Sequence, residues 1–230
     1  IISPAMNTNM YYNPIVQDNI AKLKRFDMEV IEPDNGYLAC GDIGAGKMPS
    51  ETVLLDYILR EVQYDKDLAG KKVLVTAGHT REAIDPVRYI TNHSTGKMGY
   101  AIARDCMLRG ADVTLVSGKT SITPPPFVKV VDVVSAADMF EAVKDSYKDM
   151  DYIIKTAAVA DYTPAITYDN KVKKSDDDMS IALKRTTDIL KYLGEHKSDS
   201  QILVGFSMET ENMIENSRAK LEKKNLDMIV

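Results

Sequence analysis

From residue 71 onward, short β-branched runs alternate with helical stretches, and that alternation leaves few choices of fold. KVLVTAG reads as a strand, GYAIARDCMLRG as a helix closed by Gly110, and ADVTLVSG as the next strand, together a βαβ unit. FVKVVDVV, DYIIKTAAV, QILVGFS and LDMIV repeat the strand pattern. Helices are expected between them at SAADMFEAVKDSY, TTDILKYLGEH and ENMIENSRAKLEKKN. Parallel strands need long crossovers, and these helices supply them, so the expected fold is α/β: a Rossmann-like, doubly wound, mostly parallel sheet. Ligands of such sheets bind beyond the carboxyl ends of the strands. The segments there are TAGHTREAIDPVRYITNHSTGKMG, SGKTSITPPP, AAVADYTP and GFSMET.

The first 63 residues read differently. They are rich in Asn, Pro and Gly, with a helix expected near NPIVQDNIAKLKRF, a strand-like MEVIEP, and a glycine-rich loop at NGYLACGDIGAGKMPS. SETVLLDYILREVQ follows as a second helix with Ser50 as its N-cap. The polar YDKDLAGKK marks the change of pattern, which gives one domain at 1–63, a linker at 64–70 and a second domain at 71–230. The chain opens on IISPAMN and closes inside the apolar LDMIV, so it reads as a fragment cut at both ends.

With a net charge of −5 and no basic tail, the chain lacks the electrostatic footprint of a nucleic-acid binder. Its apolar runs fall well short of the roughly 20 residues that span a bilayer, so no membrane segment is expected. Two cysteines, Cys40 and Cys106, make no disulfide framework and fit a reducing cytoplasm.

Around TNHSTGKMG two familiar phosphate motifs fail. A Walker A loop needs a glycine where Thr91 stands and a hydroxyl where Met98 follows Lys97. A dinucleotide fingerprint needs its glycines directly after the first strand and an acid after the second; here the second ends Ser117-Gly118. An NAD(P)-dependent oxidoreductase or a nucleotide-binding module on the same sheet is kept as the alternative. Gly96 and Gly99 would still let backbone approach a ligand, and the following helix offers N–H groups to an anion, unless Ser94 or Thr95 merely caps it.

Three segments in order, TNHSTGKMG, KTAAVADYTP followed by KVKK, and VGFSMET, resemble the phosphopantothenate–cysteine ligase domain of coenzyme A biosynthesis. Upstream, PAMNTNMY and ACGDIGAGKM look like the last third of the phosphopantothenoylcysteine decarboxylase that bacteria fuse ahead of that ligase, a flavodoxin-like α/β domain. The resemblance covers essentially the whole chain.

It implies a two-step ligation. CTP with Mg2+ activates the carboxylate of 4′-phosphopantothenate as an acyl-cytidylate, releasing pyrophosphate, and the amine of cysteine then displaces CMP. Carried over by position, Asn92 serves the second step, Ser94, Thr95 and Gly96 take the phosphopantothenate end, and Lys171 serves acyl-cytidylate formation. Ala157, Ala158, Asp161, Lys171, Thr187, Asp188, Ile189, Phe206, Lys220 and Lys224 meet the nucleotide. Each has a plainer reading beside it. Asn92 and Asp161 suit turns, Phe206 suits a core, and KVKKSDDD suits a charged loop in which Asp176 to Asp178 neutralise Lys171, Lys173 and Lys174. Lys220 and Lys224 share a helix face on which Glu215 and Glu222 could pair with them. The family's Asn-Pro-Asp-Ile reads Thr186-Thr187-Asp188-Ile189 here.

In the upstream piece, Asn7 matches the asparagine that grips the decarboxylase substrate, and Cys40 the flap cysteine that donates a proton. The family's catalytic histidine and flavin-binding part have no counterpart in this chain, and His79, His93 and His196 offer no replacement; FMN is therefore expected for the full-length protein only. The magnesium ligands are left unassigned. The resemblance further implies a homodimer through the ligase domain and a larger homo-oligomer in the full-length protein.

Overall fold

The computed structural model describes residues 1–173, 179–208 and 211–230. Two compact units divide the chain, Ile1–Asp65 and Lys66–Val230. The stretch expected as a linker belongs to the second unit from Lys66 on: the Lys66 ammonium donates to the Leu108 carbonyl at 2.8 Å and the Leu68 amide to the Arg109 carbonyl at 3.1 Å.

In the first unit, α1 (Thr8–Tyr11) and α2 (Pro14–Arg25) precede a hairpin of β1 (Asp34–Tyr37) and β2 (Ile43–Lys47), and α3 (Glu51–Val62) closes the unit. Asn13 and Ser50 cap α2 and α3 through their side chains. A small core of Tyr11, Ile20, Val30 and Ala45 holds α1 and α2 to β2. The glycine-rich stretch expected as a loop is thus paired backbone. Gly36 lies opposite Gly44, and such strands carry no alternating hydropathy to betray them. MEVIEP forms only an isolated bridge, Val30 to Ile2.

The second unit is built on β3 (Lys72–Ala77), α4 (Lys97–Leu108), β6 (Asp112–Ser117), β7 (Lys129–Asp132), α5 (Ala136–Ser146), β8 (Tyr152–Lys155), α6 (Ile189–His196), β11 (Ile202–Gly205), α7 (Met213–Lys223) and β12 (Met228–Ile229). Two antiparallel ribbons leave it: β4 (Arg81–Ala83) with β5 (Tyr89–Thr91), and β9 (Tyr162–Pro164) with β10 (Leu183–Arg185). The six remaining strands form one sheet in the order β12-β11-β8-β3-β6-β7, every pairing parallel. The expected doubly wound sheet is therefore present.

Burial explains why these strands read as apolar runs. Five of the six residues of β3, and likewise of β6, are buried, as befits parallel strands covered on both faces. The main core joins Leu74, Val116, Ile153 and Leu203 from the sheet to Met139 and Val143 of α5 and to Ile189, Leu190 and Leu193 of α6. Successive crossovers leave β3 toward β6 and β7, then return past it to β8, β11 and β12. The reversal opens a crevice at the carboxyl ends of β3 and β8.

Candidate functional site

The floor of that crevice is a hydrogen-bonded seam. Thr76 and Thr80 are wholly buried. The Thr76 hydroxyl accepts from the Ala157 amide at 3.2 Å, and its carbonyl accepts from the Thr156 hydroxyl at 2.6 Å. One turn onward, the Thr80 hydroxyl accepts from the Ala160 amide at 3.0 Å, and the Ala158 amide donates to the Gly78 carbonyl at 2.9 Å. The seam carries β3 and β8 together past the end of their ladder, and a cleft of about 960 Å³ lies over it.

Residues 92–99 line one part of this cleft. Gly96 is the N-cap of α4, at φ 81°, and has no side chain with which to cap the helix. The Lys97 amide reaches the Thr95 hydroxyl at 3.5 Å and the Gly96 amide the Ser94 hydroxyl at 3.4 Å, which leaves the next amides of this 12-residue helix to a ligand or to water. Gly99 brings the helix down onto the seam: a β-carbon there would lie 2.5 Å from both the Ala77 β-carbon and the Thr156 hydroxyl. Asn92 extends its amide to the Ala158 carbonyl at 3.3 Å, and the Thr91 hydroxyl donates to the Thr80 carbonyl at 2.7 Å. His79 steadies the turn between them. Its Nε2 accepts from Arg81 Nε at 3.4 Å, which puts the ring proton on Nδ1, the atom that donates to the Ser94 carbonyl at 2.7 Å.

The later segments form the rest of the lining. Asp188 caps α6, accepting from the Lys191 amide at 3.0 Å, and pairs with the Lys224 ammonium at 2.7 Å. Burial works against its charge, but Lys224 and the Lys191 amide prevail and hold its carboxyl below the usual range. Lys220 donates to the Phe206 carbonyl at 3.2 Å. Ile189 sends its side chain into the main core.

The cleft therefore gathers Asn92, Ser94, Thr95, Gly96, Ala157, Ala158, Asp161, Thr187, Asp188, Ile189, Phe206, Lys220 and Lys224, every ligase-side residue named from sequence except Lys171. Lys171 is exposed on the segment between β9 and β10 and is not part of the lining. Its neighbour Val172 is what the fold holds. Asp85, buried at the turn between β4 and β5, accepts from the Val172 amide at 3.2 Å and from Arg88 Nη2 at 2.6 Å, and Arg88 Nη2 donates on to the Val172 carbonyl at 3.2 Å. Arg88 and the surrounding amides keep the Asp85 carboxyl far below the ordinary range. Lys174, Asp176 to Asp178 and the last two residues of VGFSMET lie outside the described residues.

In the first unit the hairpin tip brings Cys40 to Asn7, 33 positions away. The Asn7 amide donates to the Cys40 sulfur at 3.2 Å and to Asp42 Oδ2 at 3.3 Å, and the Cys40 thiol donates to the same oxygen at 3.5 Å. Asn7, Cys40, Gly46 and Lys47 line a pocket of about 380 Å³.

Sequence reasoning passed over Asp42, Thr76, His79, Thr80, Asp85, Arg88 and Lys155. Only two carried a usable signal: His79 stands two residues beyond a strand end, and Lys155 is a charge closing an otherwise apolar strand.

Residues 68–230 match the model of the DNA/pantothenate metabolism flavoprotein C-terminal domain, and residues 1–63 match the flavoprotein family. The coenzyme A biosynthesis bifunctional protein CoaBC of Bacillus subtilis is 50% identical over 232 residues, an alignment covering all of this chain and 57% of that protein. Its counterpart from Haemophilus influenzae is 45% identical over 232 residues, covering 99% of this chain and 57% of the relative. The chain thus spans somewhat over half the length of these relatives. Among solved structures, the C-terminal domain of a coenzyme A biosynthesis bifunctional protein CoaBC superposes with a TM-score of 0.64 at 53% identity, covering 71% of this chain and 77% of that one. With its six-stranded sheet, its cleft and these matches, the chain belongs to the family of the DNA/pantothenate metabolism flavoprotein C-terminal domain, preceded by a flavoprotein-family segment.

Proposed function

We propose that the second unit is a phosphopantothenate–cysteine ligase that uses CTP. The observation that carries this reading is the single cleft in which the turn at residues 92–99 meets the lysines of α7 and the start of α6. One part of the lining suits a phosphorylated acyl substrate: Ser94 and Thr95 offer hydroxyls, and α4 presents the first-turn amides that follow Lys97. The other suits a triphosphate, with Lys220 and Lys224 supplying positive charge and the Phe206 ring available to a base.

In the first step the carboxylate attacks the α-phosphorus of CTP, the bond to the β-phosphate breaks, and pyrophosphate leaves. In the second, the amine of cysteine attacks the acyl carbon and CMP leaves, while the Asn92 amide holds the acyl group. Lys171 stabilises charge in the first step, which requires its segment to approach the cleft. A magnesium carried by the triphosphate needs only one or two carboxylates, and Asp161 and Asp188 are the ones in the lining. The metal would offset phosphate charge. Among the described residues no three metal-ligating side chains gather.

The flavoprotein-family segment extends the reading to an FMN-dependent decarboxylation in the full-length protein, to which this chain contributes Asn7 and Cys40. We place both activities in the cytoplasm, where the exposed Cys40 stays reduced. No helix among the described residues is long and apolar enough to cross a membrane.

Nucleotide choice tests the ligase reading. CTP with magnesium at about a hundredfold above its Kd should raise the Tm of the full-length protein by roughly 5 °C or more, whereas NAD and NADP should leave it unchanged. Protection by the dinucleotides alone would overturn the assignment.

A second copy of the chain is the partner that the ribbon surface favours. Tyr162, Ile166, Tyr168, Ile181 and Leu183 are exposed together on β9, β10 and the chain continuing from them. In sedimentation the protein should run as a dimer or larger, and the double substitution Ile166→Asp with Leu183→Asp should shift it to monomer. An unchanged sedimentation coefficient would place the interface elsewhere.

A further inference from the structure

Four lysines line the cleft, the exposed Lys97 at the start of α4 and, in the other part, Lys155, Lys220 and Lys224, of which only two have partners. Lys224 is paired with Asp188, and Lys220 is hydrogen-bonded to the Phe206 carbonyl. Lys155 has no hydrogen bond or ion pair from its side chain among the described residues. Its position is nevertheless fixed. It is the last residue of β8, registered between Thr76 of β3 and Gly205 of β11, at the point where the sheet's crossovers reverse. A long cationic side chain half-buried at the end of a central strand is costly to desolvate, and such a charge calls for a counter-charge.

We propose that Lys155 is a third phosphate-binding lysine, which completes with Lys220 and Lys224 the site for the departing pyrophosphate end of the nucleotide. This rests on the triphosphate reading of the cleft and adds a residue to it. The charged groups that face Lys155 are Asp188, Lys224, Lys220 and Asp161. Asp188 is already engaged by Lys224, which leaves Asp161 against two ammonium groups. A polyanion is the missing partner.

Burial first, and then the two neighbouring lysines, push the Lys155 ammonium down to about 8, with the two aspartates opposing. A bound triphosphate reverses the balance and favours the charged form. The sign follows directly. Well below that value Lys155 is protonated in both the free and the bound protein; just above it, the free amine is largely neutral and must take up a proton when phosphate arrives. A cation that forms on binding gains contacts that a neutral chain of similar volume cannot supply.

Titration calorimetry of the full-length protein with CTP and magnesium, in buffers of different ionisation enthalpy, reads this directly. At about pH 8.5 binding should take up about half a proton or more, and uptake should vanish as pH falls toward about 6.5. Lys155→Met should lose the uptake and weaken CTP affinity about tenfold. Lys155→Arg, which is always charged, should keep most of the affinity without the uptake. Thermal unfolding of both variants checks that they fold. Wild-type affinity and unchanged proton uptake in folded Lys155→Met would overturn the assignment of Lys155, provided Lys220→Ala still weakens binding. Absence of CTP binding to the wild-type protein would overturn the triphosphate reading itself.

Discussion

Lys171→Ala should abolish pyrophosphate release from CTP and 4′-phosphopantothenate, by about a thousandfold or more, while CTP affinity changes less than about threefold. The split follows from where the side chain sits. Lys171 is outside the lining that would hold the nucleotide in its ground state, so its removal takes little from binding. If it acts when its segment reaches the cleft, its charge is felt mainly in the phosphoryl transition state, and the loss falls on kcat. Single-turnover pyrophosphate release measured beside CTP binding separates the two quantities. A large rise in Kd with kcat intact would make Lys171 a simple nucleotide ligand.

Asn92→Asp should do the opposite to the two half-reactions. Pyrophosphate release should persist, and amide formation should fall by about a hundred- to a thousandfold, the usual scale for losing one oriented donor. The geometry sharpens the reason. The Asn92 amide donates to the Ala158 carbonyl at 3.3 Å, and a carboxylate there would set oxygen against oxygen. The side chain would turn away while the turn itself stays held by Thr91 and His79. Mass spectrometry of quenched reactions should find acyl-cytidylate accumulating. Equal loss of both half-reactions in both variants would contradict the division of roles.

How much of this was legible in the sequence depended on burial. The central strands β3 and β6 were readable because parallel strands covered on both faces are unbroken apolar runs, as in VLVTA and VTLVS. The three ribbons were not. They are three to five residues long, largely exposed and rich in glycine or charge, so nothing in their hydropathy distinguishes them from loops. Cys40 therefore looked as if it rode a loose flap, whereas a register with Gly36 opposite Gly44 brings it to Asn7.

The cleft was legible through the rule that ligands meet strand ends, together with the resemblance of its motifs. Lys171 came from the resemblance alone, since a charged loop says nothing of what it faces. Thr76 and Thr80 could not have been found: each is an ordinary β-branched residue until the register of β3 against β8 makes its hydroxyl an acceptor. Lys155 stood in view as the polar end of YIIK, but its isolation is a property of the packed cleft.

The threonine seam also divides the proposed roles along the chain. All that is proposed to hold the acyl substrate lies in the chain between its two sides, at residues 92–99, and all that is proposed to hold the nucleotide lies on or beyond its second side, from Lys155 to Lys224, with Lys171 on the segment between β9 and β10. The floor joining the two halves is made largely of backbone and two buried hydroxyls, which constrain few of the surrounding side chains. On the proposed assignments, substitutions in either half away from the Asn92–Ala158 hydrogen bond should alter one ligand preference and spare the other, so that nucleotide and acyl preference would be separable traits on this scaffold.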